Sequence, residues 1–256
     1  MHLTSDKRIW IPDDDDWIRW GGDYEQVEFN NVMSHISNWD VALDIGAHVG
    51  IWSTRLAKRF KNVIAFEPVP KHIECWKQNM LPFTDERSEW AMHENVSTLN
   101  TVALGHENGT ATMKVPDTTN TGMASLVHES NQKTGERWVQ PGWDKFPNIQ
   151  VETRTLDSYE FDQLDFIKID VEWFELRVLQ GAENTIRKHK PIMYIEMSDT
   201  EAYTFMKNLD LDYRILYSHG ADRLYKVDTS REWKQHIKKI DNLKGTLKNV
   251  RGLNSK

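Results

Sequence analysis

Four acidic side chains stand at or just before the ends of short apolar runs. They are Asp44 in Val41-Ala42-Leu43-Asp44-Ile45, Glu67 after Val63-Ile64-Ala65-Phe66, Asp170 after Phe166-Ile167-Lys168-Ile169, and Glu196 closing Ile192-Met193-Tyr194-Ile195. An ionised carboxylate accepts hydrogen bonds only, so it can hold a pair of hydroxyls, take a proton from one, or sit beside a cation. Glu172, two residues past Asp170, adds a fifth carboxylate, and His219 is a more distant proton acceptor.

The first of these acids opens onto a glycine turn. Gly46-Ala47-His48-Val49-Gly50 ends one apolar run and leads into a helical pattern. Gly46 permits a sharp turn, and Gly50 lets the helix start lie close to a ligand or a neighbouring strand. Glu67 comes about twenty residues after it and just before Pro68, where an acid can accept from both hydroxyls of a ribose. A dinucleotide site needs a second glycine two residues after the first, so that backbone can approach the pyrophosphate. His48 occupies that position, which disfavours an NAD-dependent enzyme. A nucleoside without phosphates, such as S-adenosylmethionine (SAM), fits better; a turn that binds nothing is the plain alternative.

Such residues need a sheet to hold them. Strands are predicted at 41–45, 63–66, 96–104, 149–156, 166–170 and 192–196, with helices over 51–60, 71–80 and 174–187. Residues 105–109 read as a turn into a hairpin partner at 110–115, and 211–217 with 224–227 as a terminal antiparallel pair around His219-Gly220. Alternating strands and helices imply an α/β fold, a doubly wound, mostly parallel sheet whose ligands bind outside the carboxyl ends at the switch point. Ahead of it, residues 24–36 carry one apolar helical face, preceded by an irregular or extended arm in which Asp13 to Asp16 read as a solvated turn. Residues 116–147 form a long polar loop with Trp138 and Trp143, which either stack on a sugar or bury under the loop. One domain over 1–240 is expected, with the arm and first helix in 1–40 and a solvated basic tail at 241–256.

Composition narrows the class. A net charge of -7 leans away from nucleic acid, and a single cysteine, Cys75, leaves no internal disulfide and no cysteine metal site. No metal is assigned. No apolar run approaches the roughly 18 residues of a membrane span, and the first residues lack a signal-peptide core, so a cytoplasmic protein is expected.

The run from Ala42 to Asn79 resembles the first motifs of class I SAM-dependent methyltransferases. Further stretches resemble the FkbM family: Asn100-Thr101-Val102-Ala103-Leu104-Gly105, Ala124-Ser125-Leu126, Thr155-Leu156-Asp157, and Phe166 to Glu172 with Glu175, Gly181-Ala182, Pro191 and Glu196. The opening segment is more weakly similar to an arm of phage-borne relatives. The resemblance implies a Rossmann-like fold, SAM as cofactor, and methyl transfer to a hydroxyl of a sugar, glycan or small metabolite. Carried onto this chain, Asp44, Gly46, Ala47, His48 and Gly50 border the methionine and ribose, and Glu67 with Pro68 holds the ribose. Asn100 or its neighbours, Ala103 among them, approach the adenine, and Asp170 and Glu172 face the reacting centre. One departure stands out: the family usually has glycine after the Val-Glu pair, where this chain has Trp173.

Asp170 is the first candidate for the base, then Glu172, then His219. Each has a plain structural reading as well: Asp170 or Glu172 as a helix cap or a partner of Lys168 or Arg177, Glu196 as a cap, and His219 as a turn residue. Two other functions fit less well. A nucleic-acid methyltransferase would want a basic cleft or an Asn/Asp-Pro-Pro-aromatic tetrad, which the chain lacks. A catalytically silent SAM-binding interaction module is the other, suggested by Trp173.

Overall fold

The computed structural model describes residues 1–16, 18, 21, 23–84, 96–117, 120–127, 143–197 and 200–228. Trp138 and the basic tail at 241–256 lie outside them. In chain order the elements are β1 (His2–Leu3), β2 (Trp10–Ile11), α1 (Gln26–Met33), β3 (Val41–Ile45), α2 (Ile51–Leu56), β4 (Asn62–Phe66), α3 (Pro70–Thr84), β5 (Val96–Asn100) and β6 (Ala103–Leu104). Then come β7 (Gly109–Lys114), β8 (Ser125–Leu126), β9 (Asn148–Arg154), β10 (Phe166–Ile169), α4 (Glu175–Gln180), α5 (Glu183–His189), β11 (Ile192–Glu196), α6 (Thr200–Asn208), β12 (Tyr213–His219) and β13 (Asp222–Val227).

Seven strands form the main sheet in the order β12-β13-β11-β10-β3-β4-β5. The five from β11 to β5 run parallel, and β13 and β12 close one side as the expected antiparallel pair. The chain winds outward from β3 through β4 to β5, then restarts on the other side of β3 with β10. The fold is Rossmann-like, with its switch point between β3 and β10. Register does the rest: Ile45 pairs with Phe66 on one side and with Ile169 on the other, and Ile169 pairs with Ile195. Gly46, Glu67, Asp170 and Glu196 are the next residues of those four strands, so they fall in one row along the carboxyl edge.

Both faces of the sheet are covered, which is why its strands read as continuous apolar runs rather than alternating ones. One face carries Leu43, Ile45, Ile167, Ile169, Met193 and Ile195 against Val178, Leu179 and Ile186. The other carries Ala42, Phe166 and Tyr194 under Trp52, Leu56 and Phe60 of the α2 region. The Trp52 ring stacks over Tyr194 at 5.3 Å between centroids.

Two expectations need correction. First, the 110–115 strand does not pair with its upstream neighbour. A second sheet has the order β6-β9-β7-β8, in which β9 lies between the two, parallel to β6 and antiparallel to β7. The reason is reach: β9 makes six register pairs with β7 and buries Val151 and Thr153, whereas β6 is only two residues long. Part of the 116–147 stretch joins this sheet as β8, paired with β7.

Second, the helix predicted over 174–187 breaks into α4 and α5 at Gly181-Ala182. A Cβ at Gly181 would lie 1.9 Å from the Gly105 carbonyl oxygen. Asp157 then caps the new helix start, its carboxylate accepting from the backbone N–H of Asn184 at 3.0 Å and Thr185 at 2.8 Å.

The described part of the N-terminal arm is extended and anchored. β1 and β2 pair, and the Asn79 side chain exchanges two hydrogen bonds with the Trp10 backbone, at 2.7 and 2.9 Å. Ile9, Ile11 and Ile18 pack with Val49, Ile51 and Cys75 in a small core of their own. No helix among the described residues is long and apolar enough to cross a membrane.

Candidate active site

A cleft opens above the carboxyl edge at the switch point. Its floor is Gly46, Ala47, His48, Glu67, Pro68, Lys168, Asp170 and Glu172. The second sheet supplies an apolar wall of Val102, Ala103, Leu104, Met113 and Leu126, and the N-terminal segment supplies Ile18, Tyr24 and Glu25. The free space, with open solvent at the mouth included, is about 1030 Å³.

The glycine turn is shaped by packing. Gly46 has φ 78°, and a Cβ there would sit 1.8 Å from the Asp170 carbonyl oxygen. Gly50 has φ 88°, and its Cβ would meet the Trp76 ring at 2.7 Å. Between them His48 also takes a left-handed backbone, φ 51°, and its N–H donates to Glu67 Oε2 at 2.8 Å. Glu67 Oε1 accepts from the Val69 N–H at 2.9 Å and lies 3.2 Å from His72 Nδ1. Burial pushes the Glu67 carboxyl above the usual carboxylate range. A carboxylate has about four lone-pair sites, so these contacts leave Glu67 with acceptor capacity.

At the other end of the row, Lys168 is buried and its ammonium donates to Asp170 Oδ2 at 2.9 Å. Burial alone would raise Asp170; the Lys168 charge and hydrogen bond outweigh it and hold Asp170 below the usual range. Among the described residues Glu172 has no such hydrogen bond, although the Lys168 charge draws it down a little. Burial, reinforced by the Asp170 charge, pushes it up to about 8, and the same two causes push Glu196 up to about 10. One ionised carboxylate therefore faces two neighbours that hold protons at neutral pH. Oxygens of Asp170, Glu172 and Glu196 lie within 4.8 Å of one another.

The backbone around Glu172 accounts for the departure at Trp173. Glu172 has φ 49° and Trp173 φ 73°, two consecutive left-handed residues in a position that glycine would occupy without strain. Ser125 Oγ donates to the Glu172 carbonyl at 2.5 Å, and the Trp173 N–H donates to Glu175 Oε1 at 3.1 Å, which pins the turn. Trp173 is absent from the cleft wall, so its ring does not narrow the pocket.

The structure thus brings Gly46, Ala47, His48, Glu67, Pro68, Ala103, Asp170 and Glu172 to one cleft. It places four other candidates elsewhere. Asp44 is fully buried below the turn, accepting from Ser53 Oγ at 2.6 Å. Gly50 and Asn100 do not line the cleft, although Val102 and Ala103, close to Asn100, do. His219 projects from the end of β12 and pairs with Glu28 at 3.5 Å, its side chain 61% exposed; it is not part of the cleft.

Several residues in and beneath the cleft were not read from the sequence as site residues. Lys168 faces the Trp52 ring at 5.6 Å, and Trp52 Nε1 donates to Glu25 Oε2 at 2.6 Å. Asp15, expected in a solvated turn, is 1% exposed and joins His72 and Thr121 beneath Glu67.

The sheet order and the cleft at its switch point define a Rossmann-like α/β protein. The Methyltransferase FkbM domain model matches residues 44–226, and the chain belongs to that family of methyltransferases. Among solved structures, it is similar to a methyltransferase FkbM from Methylobacillus flagellatus KT, with 21% identity and a TM-score of 0.48 over 73% of this chain and 43% of that one. It is also similar to a precorrin-6y C5,15-methyltransferase from Geobacter metallireducens GS-15, at 12% identity and TM-score 0.43 over 88% and 96% of the two chains. The chain thus spans less than half the length of the Methylobacillus protein. No curated protein matches it.

Proposed function

We propose that this chain is a SAM-dependent methyltransferase acting on a hydroxyl of a sugar, glycan or small metabolite. Family membership supports methyl transfer. The donor set supports the cofactor: Glu67 retains acceptor capacity at the end of β4, and the wall beside it is apolar. A carboxylate with a flat apolar slot suits a ribose and an adenine, and Asp170 suits a cation near by. When bound, SAM would supply a methyl group on a positively charged sulfur.

The chain's own residues have two tasks, aligning the acceptor and taking its proton. The observation that carries the hydroxyl reading is Glu172, a cleft carboxyl raised to about 8 by burial beside ionised Asp170. A base works best with a pKa near the operating pH, which favours Glu172 over Asp170, whose basicity Lys168 lowers. Asp170 keeps its charge and favours positive charge in the cleft. The N-terminal segment and the second sheet line the cleft on two sides.

A screen for mass-labelled methyl transfer from SAM to pooled sugars, nucleotides and lipids tests this. Label on a hydroxyl oxygen supports the reading; label on nucleic acid alone overturns it. SAM binding with no S-adenosylhomocysteine formed from any pool points to the silent module instead.

A further inference from the structure

Beneath Glu67 lies a polar cluster that the methyl-transfer reading leaves unused. It joins four separate parts of the chain: Asp15 from the arm, His48 from the glycine turn, His72 from α3 and Thr121 from the segment before β8. Asp15, His72 and Thr121 are all at or below 2% exposed. Asp15 Oδ2 accepts from Thr121 Oγ1 at 2.6 Å and from the Thr121 N–H at 3.2 Å. The same Thr121 oxygen lies 3.2 Å from His48 Nε2 and 3.1 Å from His72 Nε2. His72 Nδ1 in turn lies 3.2 Å from Glu67 Oε1.

Counting protons fixes the directions. A hydroxyl has one proton and two lone pairs. The 2.6 Å contact commits the Thr121 proton to Asp15, since a carboxylate can only accept. Both imidazoles must then donate from Nε2 to the Thr121 oxygen. That leaves the His72 Nδ1 lone pair facing the Glu67 carboxyl, a contact that is favourable only with one further proton between them. Burial opposes charge on both groups, lowering His72 to about 3 and raising Glu67, so the two share that proton across the 3.2 Å contact.

We propose that Asp15, Thr121 and His72 are positioning residues that orient Glu67, making the N-terminal arm part of the cofactor site. The inference rests on the reading of Glu67 as the ribose acid. Without Asp15, the Thr121 hydroxyl is free to turn toward an imidazole, and His72 loses the partner that fixes its tautomer. The Glu67 carboxyl then rotates away from the geometry a ribose needs. The arm lies outside the 44–226 span matched by the family model, so this contribution belongs to the arm of this chain.

Two measurements decide it. Calorimetric titration with S-adenosylhomocysteine compares the wild type with Thr121→Val, which keeps the shape and removes the hydroxyl, and with Thr121→Ser, which restores it. About tenfold weaker binding is expected for Thr121→Val, near-normal binding for Thr121→Ser, and a loss like that of valine for Asp15→Asn. Wild-type binding matched by Thr121→Val overturns the inference alone, whereas no binding by the wild type overturns the ribose reading and the inference together. Independently of any ligand, long-range 1H–15N spectra should show His48 and His72 protonated on Nε2. A proton on His72 Nδ1 with none on Nε2 contradicts the relay.

Discussion

A methyl group on Gly46 would lie 1.8 Å from the carbonyl oxygen of Asp170. The glycine turn and the end of β10 are therefore in backbone contact, and whatever moves one moves the other. Gly46→Ala adds a left-handed penalty of about 1–2 kcal/mol to that clash. Loss of at least about 2 kcal/mol in urea unfolding is expected, together with loss of cofactor binding. A variant as stable as wild type would show that the two strands are not held this closely.

Trp173 offers a cleaner measure of backbone strain. Trp173→Ala and Trp173→Gly both remove the ring, but only glycine relieves the φ of 73°. The glycine variant should be the more stable of the two by about 1 kcal/mol. Equal stability, or alanine ahead, would mean that the turn carries no strain at this residue.

Turnover should depend on pH through Glu172. Its folded pKa is raised to about 8, so the base form grows as pH rises, and kcat should climb to a plateau just above that value. Glu172→Gln should lower kcat by roughly 10²–10⁴-fold and abolish the rising limb. A Gln variant that keeps both rate and limb would move the base to another residue.

Stability should run the opposite way. Glu172 at about 8, Glu196 at about 10 and Asp222 at about 6 all bind protons more tightly in the folded chain than in the unfolded one. Burial is the leading cause in each. Their contribution is complete below the ordinary carboxylate range and is lost as pH climbs from about 4 towards 10. The melting temperature should therefore fall between pH 5 and pH 9, and Glu172→Gln with Glu196→Gln should flatten the fall. A Tm that rises across that interval in the wild type contradicts the assignment.

The parts of this fold that could be read from sequence are those that depend on local pattern. Apolar runs such as 41–45 and 192–196 betray strands buried on both faces, and acids placed after them mark the carboxyl edge once the strands are parallel. The second sheet escaped because β6 has only two residues and takes its partner, β9, from far along the chain. The α4–α5 break depends on Gly181 touching Gly105, a contact with no local trace. The position of Glu67, Asp170 and Glu172 along the carboxyl edge could be read from the sequence, whereas the contacts of Asp15, Lys168, His72 and Thr121 depend on tertiary partners. His219 shows the reverse error: a titratable residue in a plausible hairpin that the sheet carries away from the cleft.

The central claim is that Glu67 holds a nucleoside at the switch point. It is tested most directly by titrating S-adenosylhomocysteine into the wild type and Glu67→Ala by calorimetry. Saturable wild-type binding, weakened by about 1–3 kcal/mol in the variant, is expected from the loss of a buried hydrogen-bonding partner. Equal affinity in the two proteins would place the ligand elsewhere and contradict the claim.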